Sequence, residues 1–387
     1  MKLIDICDII NIRTSEISNY ISTENMLSNK GGVCEAANVP SGTVIEYKIS
    51  DILISNIRPY FQKIWRADRN GGCSADVLCI RAKDNVDSKY LYYLLSQQAF
   101  FDYVMSGAKG CKMPRGDKNQ IMQWPVNLPP LAKQKRIAAI LGALDDKIEL
   151  NRRINANLEE QAQAFFKSWF VDFEPFRDSP FVDSELGKIP QGWKVGTLSK
   201  IGAVIGGGTP SKIVSEYYTD NGIAWITPKD LSTNNCKFTS MGETDISELG
   251  YKNSSAKLMP RGSVLFSSRA PIGYISIAKN EICTNQGFKS IVPQKAGTCF
   301  IYYFLRNNTS KIESMASGST FKEASGGLMK SLEVIIPTNK ILTAFEEAIQ
   351  PLFDMQEHNE DENARLSVLR NTLQPKLMAG EINVENQ

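Results

Sequence analysis

The chain has 387 residues, a formal net charge of +2, and 42% hydrophobic against 22% charged residues. This length exceeds one ordinary domain, and the composition is typical of soluble globular proteins with real hydrophobic cores. No apolar run approaches the roughly 20 residues that cross a bilayer, and residues 1–10 show no signal-peptide pattern, so we expect a cytoplasmic protein that does not engage a membrane.

The chain contains a single histidine, His358, in an acidic stretch of predicted helix. This count excludes Ser/His/Asp triads, H-E-x-x-H zinc sites and two-His iron sites. We expect His358 to be a solvated surface residue. The eight cysteines are scattered and form no C-x-x-C pair, which favours free and mostly buried thiols.

In chain order, the first predicted elements are strands at 51–57 and 76–81 and an amphipathic helix at 88–105. Two basic stretches, 57–69 and 107–118, each contain one acid. Because Lys and Arg neutralise phosphates, these stretches predict DNA contacts, although solvated basic loops would explain them equally well. The candidate contacts in this half are Arg58, Tyr60, Lys109, Lys112 and Arg115.

A long helix is predicted over residues 131–171, and its seam positions alternate in steps of four and three, as in a coiled coil. The seam comprises Ile137, Leu141, Leu144, Ile148, Asn151, Asn155 and Leu158, and continues through Ala162, Phe165 and Trp169. Residues 172–190 contain three prolines among acids and are expected to form a linker.

The second half contains a predicted strand at 263–268, a helix at 300–315, and short stretches that combine Gly, Ser/Thr and Lys/Arg. The segment 206–210 is rich in glycine but lacks G-K-[ST], so we do not expect nucleotide binding there. The candidate DNA contacts in this half are Lys212, Thr227, Lys229, Arg269, Ser319 and Lys322. A second long helix is predicted at 338–380, and residues 381–387 are expected to be a tail.

The two halves repeat each other. Residues 52–55, 92–95 and 126–129 match 264–267, 302–305 and 334–337, with an offset that drifts from 212 to 208. A shift of 208 also carries the first seam onto a second one, whose members are Phe345, Ile349, Leu352, Asn359, Asn363 and Leu366. Both seams contain two asparagines at equivalent positions, and a buried seam Asn fixes register; exposed asparagines on unrelated helices are the alternative.

The charges of the two helices are complementary. Residues 131–170 hold seven Lys/Arg against five Asp/Glu, whereas residues 340–378 hold four against seven. A basic and an acidic helix pair with each other better than with themselves. The sequence therefore predicts one intramolecular antiparallel coiled coil with a globular domain attached at each end.

Two domains held a fixed distance apart suit a protein that contacts long nucleic acid at two points with a set spacing. We find no active site, because the paired acids 145–146 and 159–160 are adjacent on a helix and point about 100° apart. The net charge of +2 is low for a protein that grips DNA unaided, so we expect partners.

Several motifs resemble the specificity subunits of type I restriction–modification enzymes. They are DILISNIRPY at 51–60, LPPL at 128–131, FFKSWFVDF at 165–173, IPQGW at 189–193, WITPKDL at 225–231 and LRNTLQPKLMAGEI at 369–382. The first half departs from the family pattern, since it lacks a leading I-P-x-G-W segment.

The resemblance implies an α+β fold with a pseudo-two-fold internal repeat. Mixed α/β target recognition domains at 1–130 and 191–337 would be joined by two long antiparallel helices, 131–171 and 338–380, that form a coiled coil. Each domain would recognise one half of a bipartite, asymmetric sequence in double-stranded DNA, while the helices set the spacer.

The resemblance also implies partners. Two modification subunits that bind S-adenosylmethionine would dock on the helices, and two restriction subunits would use ATP and Mg²⁺ for translocation and cleavage in host defence. The chain itself would have no catalytic residue, cofactor or metal. A coiled-coil scaffold without DNA readout and a single-chain DNA-modifying enzyme remain as alternatives.

Overall fold

The structure is a computed structural model that describes residues 1–15, 17–234, 236–318 and 322–384. It divides into unit 1, Met1–Glu149 with Ala364–Gln387, and unit 2, Leu150–Asn363. The division falls within both long helices, so each unit contains a segment of each. The two units are described separately below.

Unit 1 contains short strands and helices together with one segment of each long helix. Its elements are β1 Cys7–Ile10, β2 Arg13–Thr14, β3 Val44–Tyr47, β4 Ile52–Ser55, β5 Ile64–Arg66, β6 Gly71–Cys73, β7 Val77–Ala82, α1 Ser88–Leu95, α2 Gln98–Ser106, α3 Lys118–Ile121 and the first part of α4, Leu131–Phe170.

Unit 2 contains the remaining elements. They are β8 Phe181–Ser184, β9 Gly187–Pro190, β10 Lys194–Thr197, β11 Gly202–Gly206, β12 Tyr218–Thr219, β13 Trp225–Ile226, α5 Pro228–Thr233, β14 Phe238–Thr239, β15 Asp245–Ile246, α6 Glu248–Lys252, β16 Val264–Ser268, β17 Ile272–Ala278, β18 Cys283–Thr284, β19 Lys289–Pro293, α7 Thr298–Met315, α8 Gly326–Ser331, β20 Glu333–Ile336 and the first part of α9, Asn339–Ala379.

The sheets repeat as the sequence does. Unit 1 has a four-stranded antiparallel sheet in the order β1-β7-β4-β5, and unit 2 has the order β11-β19-β16-β17, extended by the parallel strand β14. The helices that follow, α1 and α2 in unit 1 and α7 in unit 2, pack their buried faces on these sheets. The predicted α+β fold with an internal repeat is confirmed.

Each long helix contributes to the core of the unit that contains it. In unit 1, Ile137 and Leu141 of α4 and Leu377 of α9 join the core that α1 and α2 cover. In unit 2, the core includes Phe166 and Phe170 of α4. Both long helices therefore contribute side chains to the domain cores as well as to the seam between the two helices.

Most of the expected seam positions lie away from solvent. The buried ones are Ile137, Leu141, Ile148, Asn151, Phe345, Ile349 and Asn359. The half-buried ones are Leu144, Asn155, Leu158, Leu352, Asn363 and Leu366.

The prediction that Phe165 is a seam residue is wrong. Phe165 is 44% exposed, whereas Phe166 is 4% exposed and contacts the rings of Phe345 and Phe300 at centroid distances of 6.0 and 5.6 Å. A straight helix has 3.6 residues per turn and drifts away from a 3.5-residue seam. The aromatic core of unit 2 therefore contains Phe166 in place of Phe165.

The middle of the seam is polar and antiparallel. Within unit 2, Asn151 Nδ2 donates to Asn363 Oδ1 at 3.0 Å, and Asn359 Nδ2 donates to Asn155 Oδ1 at 2.8 Å. The partner's number falls as the first number rises, which makes the helices antiparallel. A shift of 208 residues converts one asparagine pair into the other, so the two pairs are copies within the repeat.

Residues 172–190, which the sequence suggested as a linker, contain a β-hairpin. β8 and β9 pair in register from Phe181 with Pro190 to Ser184 with Gly187, and Gly187 has a φ of +95° at the turn. Phe173 and Phe176 lie against Trp193 at ring-centroid distances of 5.6 and 5.0 Å. The aromatic residues among the prolines therefore dock this segment on unit 2.

Two smaller expectations are confirmed. His358 is exposed, and the eight cysteines are free, five of them buried. Among the described residues, no helix is long and apolar enough to span a bilayer.

The asparagine pairs predict a coupled effect on stability. Asn155→Leu alone leaves the Asn359 amide and the Gln356 carbonyl, which accepts from Asn155 at 3.0 Å, without their partner. We expect a loss of about 1–3 kcal/mol in the free energy of unfolding, measured by urea denaturation of the full chain. In Asn155→Leu/Asn359→Leu most of this loss should return, because an apolar pair replaces a polar one.

Asn157→Leu, on the exposed side of the same helix, serves as the control and should change stability little. Additive losses in the double variant would show that the two asparagines are not coupled.

Candidate nucleic-acid interface

A closed loop carries the basic residues of unit 1. Lys109 and Arg115 exchange two backbone hydrogen bonds of 2.9 Å, and the Arg58 amide donates to the Pro114 carbonyl at 2.8 Å. Gly110 has a φ of +98°, which favours glycine at this turn. The backbone therefore pins residues 109–115 beside the end of β4 and leaves their tip, with Lys112 and Met113, exposed.

The expected cations of this loop have acidic neighbours. Arg115 lies 2.7 Å from Asp76 and Lys109 lies 3.2 Å from Asp117, and all four side chains are accessible to solvent. Amides of α3 and the Lys109 ammonium hold the pKa of Asp117 below its ordinary value. Exposed pairs of this kind are weak, so a phosphate can replace the carboxylate at little cost.

Arg58 and Tyr60 lie next to this loop. Arg58 has a φ of +49°, is half-buried, and its Nε has no hydrogen-bond partner among the described residues. Tyr60 is 48% exposed and its ring lies 4.6 Å from that of Phe61. An exposed aromatic pair beside cations is a surface on which a nucleotide can stack.

In unit 2, a cleft of about 550 Å³ brings four of the expected residues together. They are Lys212, Thr227, Lys229 and Arg269. The cleft also contains the side chains of Asn285 and Gln286, which sequence analysis missed because an amide outside a basic stretch gives no signal. Asn and Gln are the side chains that hydrogen-bond adenine edges most readily.

The cleft residues differ in how free they are. The Thr227 hydroxyl donates to Asp230 at 2.6 Å and caps α5, so it serves the fold here. Lys229 donates to Glu243 at 2.6 Å, which raises the pKa of Lys229. Arg269 lies 3.7 Å from Glu323, whereas Lys212 has no acidic partner among the described residues.

A second closed loop borders this region. Ser317 and Glu323 exchange backbone hydrogen bonds, and the Ala324 amide donates to the Ser268 carbonyl at 2.9 Å. Lys322, in this loop, is exposed. Ser319, which the sequence suggested as a contact, lies outside the described residues.

The glycine-rich segment before the cleft has a packing role. The amides of Gly207 and Gly208 donate to the carbonyls of Phe288 and Thr284, so they are not free to bind phosphate. A Cβ on Gly208 would lie 2.3 Å from the Ala256 nitrogen. Close backbone approach explains these glycines.

A buried ion pair fixes the unit 2 domain on its helix segments. Lys237 Nζ lies 2.8 Å from Glu159 of α4 and 2.8 Å from the Gln356 amide oxygen of α9, and Arg306 of α7 contacts the same Glu159. Burial lowers the pKa of Lys237 to about 8. Burial alone would raise the pKa of Glu159, but Lys237 and Arg306 together lower it.

Unit 1 contains a similar network around the repeated tyrosines. The Tyr93 hydroxyl donates to Asp145 at 2.6 Å, Arg370 contacts Asp145 at 2.6 Å, and the Gln374 amide donates to the Tyr93 carbonyl at 2.7 Å. Sequence analysis missed both networks, because their members are far apart in the chain. The repeated tyrosine pair, 92–93 and 302–303, was the available signal.

The family model described as type I restriction modification DNA specificity domain matches residues 2–160 and 190–363. The chain belongs to this family. Its two matched segments are DNA specificity domains, and the family resemblance of the sequence motifs is confirmed.

Individual specificity subunits are similar to this chain over about half of its length or over most of it. The specificity subunit of the type I restriction enzyme HindI from Haemophilus influenzae is 28% identical over 433 residues, which cover 94% of each chain. The MjaIX specificity subunit from Methanocaldococcus jannaschii is 36% identical over 189 residues, or 48% of this chain and 44% of the relative.

The fold is also similar to that of a solved specificity subunit. The crystal structure of the type I S subunit from M. genitalium has a TM-score of 0.57 at 14% identity and covers 97% of this chain and 95% of that chain. At this identity the likeness supports the fold alone.

Lys237 predicts an effect on stability in the specificity subunit. Lys237→Met removes the ammonium from beside Glu159, whose side chain is 17% exposed, and should lower the free energy of unfolding by about 3 kcal/mol at pH 7. Lys257→Met, an exposed lysine of the same unit, is the control and should have little effect.

The same variant predicts a pH dependence. The pKa of Lys237 is about 8 in the folded chain and 10.5 in a model peptide, so the unfolded chain binds more protons between these values. This lysine therefore makes the free energy of unfolding rise with pH across that window. The stability advantage of the wild type over Lys237→Met should widen from pH 8 to pH 10; a constant difference would contradict the lowered pKa.

Proposed function

We propose that this chain recognises a bipartite sequence in double-stranded DNA as the specificity subunit of a type I restriction–modification complex, with one half-site for each unit. The observation that carries the proposal is a duplicated loop. The backbone pair Lys109–Arg115 in unit 1 recurs as Ser317–Glu323 in unit 2, with an offset of 208 residues. Each loop is tied to the end of a repeated strand and has an exposed lysine.

The loops and the cleft combine both kinds of contact that DNA recognition needs. Lys112, Lys212 and Lys322 are exposed and suit phosphate oxygens, which orient the protein without reading sequence. The side-chain oxygens of Asn285 and Gln286 accept from the Gly287 amide and the Thr209 hydroxyl, and their N–H groups suit acceptors on base edges. We assign Arg58, Tyr60, Lys109 and Arg115 of unit 1, and Lys229 and Arg269 of unit 2, to the same interface.

We assign the spacing of the half-sites to the two long helices. Their register is held by the asparagine pairs, and the networks around Lys237 and Tyr93 hold each domain on its own helix segments. A domain fixed on a helix of constant register has a fixed position along it. The sequence of α4 and α9 would then set the spacer between the half-sites.

Exposed apolar side chains on these helices support docking of two modification subunits. Without a docking partner, helices already paired along one stripe would be expected to expose polar residues on their remaining faces. The exposed apolar residues of these helices are Ile140, Leu150, Ile154, Phe165, Met355, Val368 and Leu369.

The role that we propose for each subunit of the complex follows from the family. The modification subunits would bind S-adenosylmethionine, two restriction subunits would use ATP and Mg²⁺, and this chain would choose the sequence in the cytoplasm. A net charge of +2 agrees with a chain that needs such subunits for a tight grip on DNA.

Methylome sequencing of cells that express the chain with its modification subunit tests the proposal. We expect methylation in one motif made of two short sequence blocks around an unspecified spacer. Methylation that follows no bipartite motif would contradict recognition by two units.

A heptad inserted into both helices tests their spacing role. One copy is placed between Asn151 and Asn155 and one between Asn359 and Asn363, so that the seam continues. Seven residues add about 10 Å, which is about 3 base pairs, and the methylated motif should keep its blocks and lengthen its spacer by that amount. An unchanged spacer would contradict the role assigned to the helices.

Lys322→Ala tests a phosphate contact. The slope of log affinity against log salt should become shallower by about 0.9 for one lost contact, measured on the assembled complex with its target duplex. Lys188→Ala, an exposed lysine in the β8–β9 hairpin, is the control. An unchanged slope and affinity would remove Lys322 from the interface.

A further inference from the structure

One apolar side chain stands out beside the unit 2 cleft. Ile213 is 95% exposed, whereas Val368, the next most exposed large apolar side chain among the described residues, is 67% exposed. A single exposed apolar residue needs no explanation by itself, but nearly complete exposure of a β-branched aliphatic residue beside a cleft lined by cations and amides does. Ile213 gains nothing from the fold of this chain.

The loop that presents Ile213 is anchored on both sides. Before it, the Trp225 indole donates to the Gly208 carbonyl at 2.9 Å, and the Tyr218 hydroxyl donates to the Pro210 carbonyl at 2.7 Å. After it, the Ser247 amide donates to the Tyr217 carbonyl at 3.0 Å. The chain thus holds the ends of a short loop and leaves Ile213 at its tip, so little further ordering is needed when a partner binds.

The surroundings of Ile213 define the partner. Lys212 precedes it, and Lys212 lines the same cleft as Arg269, Asn285 and Gln286. Protein interface cores are depleted in lysine, whereas Lys212 and Lys229 both line this cleft. Cations with amide side chains match the phosphates and base edges of DNA instead.

In the major groove, the apolar feature of a base edge is the 5-methyl group of thymine. The adenine of the same base pair presents N6 and N7, the atoms that an Asn or Gln amide recognises. Lys212, the chain neighbour of Ile213, lines the cleft together with Asn285 and Gln286, whose amide N–H groups can donate to N7 of adenine. An aliphatic side chain adjoining this cleft therefore fits an A·T pair. We infer that Ile213 is a specificity-determining residue of unit 2 and contacts the methyl group of a thymine in its half-site, an inference that rests on the proposed DNA recognition.

The test uses the assembled modification complex and its target duplex, with each thymine of the unit 2 half-site replaced in turn by uracil, which lacks the methyl group. One replacement should weaken binding by the wild type about threefold to tenfold. In Ile213→Ala, which should fold normally because the residue is exposed, the same replacement should have no further effect. The salt slope of this variant should equal that of the wild type, because no phosphate contact is lost.

Val182→Ala, an exposed aliphatic residue in the β8–β9 hairpin, is the matched control and should keep the full effect of uracil. The inference is overturned if Ile213→Ala also keeps that effect, or if no uracil weakens the wild type. It is equally overturned if Ile213→Ala weakens binding to thymine and uracil duplexes alike, as insertion between base steps would, or if it impairs only assembly with the modification subunit.

Lys212→Ala and Arg269→Ala separate this inference from the proposed function. If both leave affinity and salt slope unchanged, the cleft is not the DNA interface and the proposed function fails at this site. If both make the slope shallower while Ile213→Ala shows no loss of the uracil effect, only the thymine contact fails.

Discussion

A helix of 40 residues with one apolar stripe cannot remain alone in water, and this constraint organises the whole chain. α4 and α9 bury their stripes against each other and against the domain cores. At the N-terminus of each domain helix, a long-helix side chain accepts backbone hydrogen bonds: Gln134 accepts from the Asp87 amide at 3.0 Å, and Glu346 accepts from the Phe300 amide at 2.9 Å. Domain and helix thus fold as one body within each unit.

The polar centre of the seam lowers stability but fixes the register of the two long helices. Asn151 is fully buried, and its Oδ1 has no partner among the described residues, so it is a poor choice if stability alone mattered. An apolar seam, however, would tolerate slips by a heptad with little loss. Pairing asparagines at equivalent positions of the repeat penalises every other register. The spacing role that we propose for the helices needs one register more than it needs extra stability.

Periodic features of the sequence could be predicted, and pairwise features could not. The repeat, the two long helices and most seam positions followed from spacing, although Phe166 replaces Phe165 because the helix drifts from the ideal seam. The pairing of Glu159 with Lys237, 78 residues away, has no local signature. Basic stretches indicated the loop at Lys109 and the start of α5 at Lys229. The acids facing these lysines and the amides in the cleft depend on how strands from distant segments meet.

The acids that face the basic residues also bear on how the small net charge is interpreted. Asp76, Asp117, Glu243 and Glu323 lie beside cations assigned to DNA, so the free chain presents few unpaired positive charges at the interface. Non-specific binding depends almost entirely on such charges and is weakened accordingly. A specific site can still displace an exposed carboxylate, because the ion pair is weak and the base contacts add their own free energy. The small net charge therefore favours discrimination between sequences over affinity for any DNA. It agrees with the proposal that partner subunits supply the remaining affinity.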